Sequence, residues 1–267
     1  MTWKIEQIGK LPKLNNPVLV EGLPGIGNVG KVAVDFIIDE LKAKKGFNFF
    51  SYTFPHSVFV NEKNLVELPS IAIYYKKFNN NKKRDLLFLA GDVQPIDEVS
   101  SYEFSDIILD ICEKLKCKEI VTLGGIGLQT VPKKPKVYYT GNNKKIIKKY
   151  KSSHLSDNLY GVVGPIIGIT GLLLGLASKR KIDAVALLAE TFAHPMFLGI
   201  KGSKKILKIL NHQFKLSLKF EKLEKEIKEM ESEILKRTDE LAKVSKSMKL
   251  GNKFVKDVNY IGWVESI

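Results

Sequence analysis

The stretch that most constrains this chain is residues 17–31, PVLVEGLPGIGNVGK. Val18, Leu19 and Val20 make an apolar run too short for a helix and bounded by turn formers, which reads as a buried strand. Gly22, Gly25, Gly27 and Gly30 crowd in behind it, and Val32, Phe36, Ile37 and Leu41 then recur at helical spacing. Strand, glycine loop and helix form the opening unit of an α/β sheet. Gly25, Gly27 and Gly30 also keep the spacing of a dinucleotide-binding loop. In one reading Gly25, Gly27, Asn28 and Gly30 let the backbone approach a phosphate at the start of the helix. In the other they permit a sharp turn and close packing of helix on strand. A dinucleotide site also needs an acidic residue ending a second strand about 20 residues on. Asp39 and Glu40 fall inside the helix instead, and Lys31 is followed by Val32 rather than the Ser or Thr of a P-loop. Tight packing or a protein contact is the favoured reading. A nucleotide, or a small phosphorylated or acidic ligand, is the alternative.

The chain then alternates. Strands are expected over residues 49–54, 57–60, 70–75, 86–91, 120–123, 160–163 and 183–189. Helices are expected from a Ser100 or Ser101 cap to about Leu115, from about Gly168 to Ala177, and from about Ser203. Residues 131–145, VPKKPKVYYTGNNKK, read as a basic loop. This alternation over residues 1–213 predicts a three-layer α/β domain. Residues 159–178 are uncharged over a length that could span a membrane. Gly164-Pro165 breaks that run, so it is expected to be buried in a soluble domain.

Charge narrows the partners. The formal net charge is +14, but only Arg84, Arg180 and Arg237 among the 43 basic residues are arginines. Base readout relies on the guanidinium fork, so a lysine surplus points to a solvated surface before a nucleic-acid reader. Cys112 and Cys117 have no neighbouring His and are expected to be reduced thiols. MTWKIEQIGK has no apolar signal core, and a cytoplasmic protein is expected.

Beyond residue 213 the character changes. Phe220, Leu223, Ile227, Met230, Ile234, Leu241, Val244 and Met248 fall on a and d positions, with Arg237 out of place and Lys and Glu between them. This predicts a helical, coiled-coil-like extension over residues 214–250 that pairs with another helix in a homo-oligomer, followed by a tail over 251–267.

Catalytic candidates are thin. Of the histidines only His194 ends a core strand beside a carboxylate, Glu190. Asp92, Glu190, Thr191 and His194 are candidates to share a cleft with the glycine loop, because ligands of open α/β sheets bind beyond the carboxyl ends of strands. Closure of loops at strand ends is the favoured role for them. Glu190 and His194 do not make an HExxH zinc pattern, and no G-x-S-x-G elbow is present. No catalytic residue, metal or cofactor is assigned.

The succession VEGLPGIGNVG, LFLAGDVQP, LGGIG, YGVVGPIIGITGLLLGLASKRKIDAVALLAET and the heptad helix resembles the PAC2 family of proteasome assembly chaperones, in particular its archaeal members, over about residues 15–247. The resemblance implies a phosphorylase/hydrolase-like α/β domain without demonstrated catalysis. It also implies homo-oligomerisation through C-terminal helices and binding to proteasome subunits or a related ring. Related chaperones end in a hydrophobic–Tyr–any-residue tail. This chain ends in Glu265, Ser266 and Ile267, so Tyr260, Ile261 and Trp263 mark a candidate partner-binding tail that departs from that pattern.

Overall fold

Val18, Leu19 and Val20 lie in a strand at the middle of the sheet, covered on both faces, which is why the run shows no polar alternation. The computed structural model describes residues 3–225, apart from 80–82, 157, 160, 162–163, 195–196 and 222. In chain order the strands are β1 (Trp3–Gln7), β2 (Val18–Glu21), β3 (Lys44–Ser51), β4 (Phe59–Val60), β5 (Val66–Glu67), β6 (Ile71–Lys76), β7 (Leu86–Gly91), β8 (Glu119–Leu128), β9 (Val137–Gly141) and β10 (Asp183–Phe192). The helices are α1 (Val29–Leu41), α2 (Glu98–Lys114), α3 (Lys144–Tyr150), α4 (Ile169–Lys179) and α5 (Ile200–Phe214).

Eight strands form one mixed sheet in the order β1-β3-β6-β7-β2-β8-β10-β9. The central four, β7, β2, β8 and β10, are parallel, and both margins are antiparallel. Leu19, Ile120 and Ala184 of this centre pack with Phe104, Ile108, Leu173 and Ala177 of α2 and α4. Helices α1 and α5 pack on each other and cover the sheet from β7 to β10. The result is the expected mixed α/β architecture around a large central sheet.

Local chemistry shifts some boundaries. Helix α2 starts earlier than expected because Asp97 is the cap: its carboxylate accepts from the Ser100 N–H at 2.8 Å. Ser100 and Ser101 lie in the first turn, where the Ser101 hydroxyl donates to the Asp97 carbonyl at 2.7 Å. Three strands were not anticipated. β1 exposes four of its five residues and is held by Trp3, which stacks on Phe104 at 4.4 Å. β9 emerges from the lysine-rich loop, and β5 pairs with β4 in a separate hairpin. That hairpin keeps large apolar side chains in solvent, Val60 at 67% and Val66 at 68% exposure.

The run over residues 159–178 is divided at its glycines as expected, a loop leading into α4, but it is only partly interior: Ile169, Leu173 and Ala177 are buried, while Ile167 in the loop is 82% exposed because the loop lies at the surface. Residues 160, 162 and 163 of the strand expected there lie outside the described residues. Among the described residues no helix is long and apolar enough to cross a membrane. Cys112 and Cys117 are buried free thiols.

The chain divides into two units, Met1–Lys219 and Phe220–Ile267. In the second, Ile227, Met230, Ile234 and Leu241 of the expected seam, and Tyr260, Ile261 and Trp263 of the tail, lie outside the described residues; Phe220 and Leu223 are within them.

Candidate functional site

From β2 the chain moves to one side of the sheet, to β3, β6 and β7; from β8 it moves to the other, to β9 and β10. The carboxyl ends of β2 and β8 therefore flank a topological switch point, where open α/β sheets hold ligands. A cavity of about 480 Å³ opens there. Its walls are residues 23–26 of the glycine loop, Val29 and Gly30 at the start of α1, 123–127 of β8 and 164–168 before α4, with Gln94, Thr170 and Leu188 completing them.

The glycines divide into two kinds. Gly27 has φ +61°, and a Cβ there would stand 2.5 Å from the Thr191 hydroxyl. A Cβ on Gly30 would stand 2.4 Å from the Leu123 carbonyl, so its absence lets α1 lie directly on β8. These two positions serve the turn and the packing, and Gly30 also borders the cavity. Gly25 is different: it is extended, meets nothing within 4 Å and lines the cavity. Asn28 takes a left-handed conformation at the start of α1 without capping it by its side chain. On the other wall, Gly124, Gly125 and Gly127 continue β8, paired with Leu188, Ala189 and Thr191, beyond the strand expected over residues 120–123.

The structure does not gather the expected polar residues at this cavity: Asp92, Glu190, Thr191 and His194 are all absent from its lining. The Asp92 carboxylate accepts from the Ser70 N–H and hydroxyl at 3.1 and 3.2 Å. β10 runs past Ala189 and carries Glu190 to the β9 side, where it accepts from the Lys136 N–H at 2.8 Å and the Tyr138 hydroxyl at 3.1 Å. His194 stacks on Phe192 at 5.6 Å. Thr191 is buried against Gly27 and Gly199.

What sequence reading missed is Glu21, the residue that ends β2. It is fully buried, and its carboxylate accepts from the Leu23 N–H at 3.0 Å and the Thr170 hydroxyl at 3.1 Å. Burial pushes its pKa from 4.5 to about 7, against the hydrogen bonds from Leu23 and Thr170 and a backbone bond at Leu123, which lower it. The available signal was a charge set directly after VLV with no polar residue between. Gln94 makes a second tie across the cavity, donating to the Pro24 carbonyl at 2.7 Å and accepting from the Ile169 N–H at 3.3 Å. Among the described residues no charged side chain lines the cavity. Lys31, next to the loop, is committed to Asp35 at 2.9 Å and to the Gly91 carbonyl at 3.0 Å.

The opposite end of the sheet holds another buried carboxylate. Burial pushes Glu119 up, but hydrogen bonds from Lys149, Arg84 and Tyr150 together hold its pKa below the ordinary value. Among the described residues no cluster of His, Cys, Asp and Glu is arranged to hold a metal ion.

Comparison with known proteins places this architecture. The sequence model of the PAC2 family matches residues 19–237. An uncharacterized protein of Methanocaldococcus jannaschii is 27% identical over 96% of both chains, and a second is 29% identical over 89% of this chain and 92% of its own. Among solved structures, Pyrococcus furiosus PbaB, described as an archaeal proteasome activator, superposes with a TM-score of 0.80 at 31% identity, over 90% of this chain and 100% of its own. Pyrococcus furiosus PbaA, described as an archaeal homolog of proteasome-assembly chaperone, superposes with a TM-score of 0.72 at 21% identity, over 93% and 98%. With the profile matched along most of its length and the fold shared, the chain belongs to the PAC2 family.

Proposed function

We propose that this chain is a non-enzymatic proteasome assembly chaperone, cytoplasmic and homo-oligomeric, which binds proteasome subunits and self-associates through its C-terminal helices. The observation that carries this reading is the PAC2 match over residues 19–237 together with the proteasome-linked descriptions of PbaB and PbaA. Two features of the chain support it. The β4–β5 hairpin keeps Val60 and Val66 in solvent, a feature that suits a protein partner. The heptad pattern of Phe220, Leu223, Ile227, Met230, Ile234 and Leu241 suits pairing of helices. Binding energy then comes from apolar contacts and selectivity from the lysine-rich surface.

A second reading, activation of the assembled proteasome, is favoured by one observation: the 31%-identical PbaB is described as an activator. A reconstitution separates the two. Proteasome α and β subunits of the same organism are mixed with and without the full-length chain, and 20S formation is followed by native electrophoresis. Peptide hydrolysis by preassembled 20S is followed in parallel. Faster assembly with unchanged hydrolysis is expected. Faster hydrolysis with unchanged assembly supports the activator reading, and no effect on either contradicts both.

A further inference from the structure

The cavity at the carboxyl ends of β2 and β8 needs an account of its own, independent of any proteasome contact. Its volume of about 480 Å³ lies in the range of small-molecule sites, roughly 300–1,000 Å³. Ile26, Ile126, Ile166 and Leu188 make its walls apolar. In a chain of net charge +14, no lysine or arginine among the described residues lines it. A phosphate or carboxylate taken out of water there would have no counter-charge, and that burial is costly.

The polar groups narrow the choice further. Gln94 is held at both ends, by the Pro24 carbonyl and the Ile169 N–H. Above about pH 7, where Glu21 is ionised, the Thr170 hydroxyl directs its proton to that carboxylate, so the lone pairs of its oxygen are what it has left to offer. Glu21 itself stays behind Thr170, outside the lining. The cavity thus combines apolar walls with a hydroxyl oxygen polarised as an acceptor.

We propose that this cavity binds a neutral, largely apolar small molecule carrying an N–H or O–H group, which Thr170 receives as acceptor while Glu21 holds the threonine proton. The ligand class is the reverse of what the glycine spacing suggests. A nucleotide or phosphorylated ligand asks for cations as well as approachable glycine backbone; Gly25 offers such backbone, but no cationic side chain stands beside it among the described lining residues.

The test uses the full-length chain and defined probes: indole, which has one N–H; 1-methylindole, which lacks it; and inorganic phosphate. Titrations above about pH 7, where Glu21 is ionised, are followed by the amide resonances of Gly124, Gly125 and Thr170. Indole is expected to shift them saturably, 1-methylindole to bind roughly tenfold more weakly for want of one hydrogen bond, and phosphate to leave them unchanged. Ile166→Trp, on the loop before α4, fills the cavity and is expected to abolish the indole shifts. Thr170→Val is expected to remove the discrimination between the two indoles. The proposal is overturned if indole leaves these resonances unmoved up to millimolar concentration, if both indoles bind wild-type protein equally, or if phosphate shifts the resonances and indole does not. The comparison of probes on wild-type protein decides the matter even where a variant does not fold.

Discussion

Glu21→Gln is expected to stabilise this protein above neutral pH. The amide keeps both local interactions, with its oxygen accepting from the Leu23 N–H and its nitrogen donating to the Thr170 oxygen, and it carries no charge to bury. The sign follows from the raised pKa. Below 4.5 the carboxyl is protonated in both folded and unfolded chains, and its burial imposes no ionisation cost. Between 4.5 and about 7 only the folded chain retains the proton. Above about 7 the folded state bears the whole cost of burying the ionised group, so this contribution is lost as pH rises. At about 1.4 kcal/mol per pH unit, the rise from 4.5 to about 7 corresponds to about 3–4 kcal/mol in full. Glu119 acts in the opposite direction, its depressed pKa giving stability that is lost as pH falls. It is common to both proteins and cancels in the comparison. Urea unfolding followed by circular dichroism from about pH 4.5 to about pH 8 is the assay. The stability of the variant relative to wild type is expected to grow by about 3 kcal/mol across that range. Parallel stability curves would refute the claim that Glu21 titrates inside the fold.

Other outcomes follow from the same geometry. Gly27→Val forces a β-branched residue into φ +61° against Thr191 and is expected to cost about 3 kcal/mol or more, read as a lower melting temperature with or without any ligand; wild-type stability would contradict the packing role. Ile227→Lys with Ile234→Lys is expected to lower the light-scattering mass while the α/β unit melts as before; an unchanged mass would place the oligomer contact elsewhere. A truncation testing the same point belongs after Lys219, because Leu216 and Leu218 are both buried. Val60→Asp with Val66→Asp is expected to weaken association with proteasome subunits at least tenfold and leave the melting of the eight-stranded sheet unmoved, since the two facing carboxylates disturb only the separate β4–β5 hairpin.

The centre of the fold was legible because its residues answer to local rules. Val18–Val20, Leu86–Gly91 and the strand into Ala189 are apolar without interruption, as strands covered on both faces must be. Helices α1, α2 and α4 repeat apolar residues at helical spacing. The margins were not legible. β1 buries one residue in five and is fixed by Trp3 meeting Phe104, about a hundred positions away. β9 exists because β10 offers it an edge, which a lysine-rich stretch does not announce. The site was read in part. Its position followed from the glycine loop and the sheet rule, and Gly25 does line the cavity. Glu190 and His194 were expected beside that loop as residues that follow the last apolar run. β10 in fact continues to Phe192, and Glu190 turns to Lys136 and Tyr138. Glu21 was invisible for the opposite reason. A charge after an apolar run reads as the first residue of a loop, and its burial depends on Thr170, contributed by a helix far along the chain.

The central claim, that this PAC2-family chain is a partner of the proteasome, meets its most direct test in native mass spectrometry. Purified full-length protein is combined with separately purified α and β proteasome subunits of the same organism at micromolar concentration. A complex containing this chain and proteasome subunits, reduced by Val60→Asp with Val66→Asp, is the expected result. Spectra in which the chain is found only free or bound to itself, with α subunits, β subunits and assembled 20S alike, would contradict it.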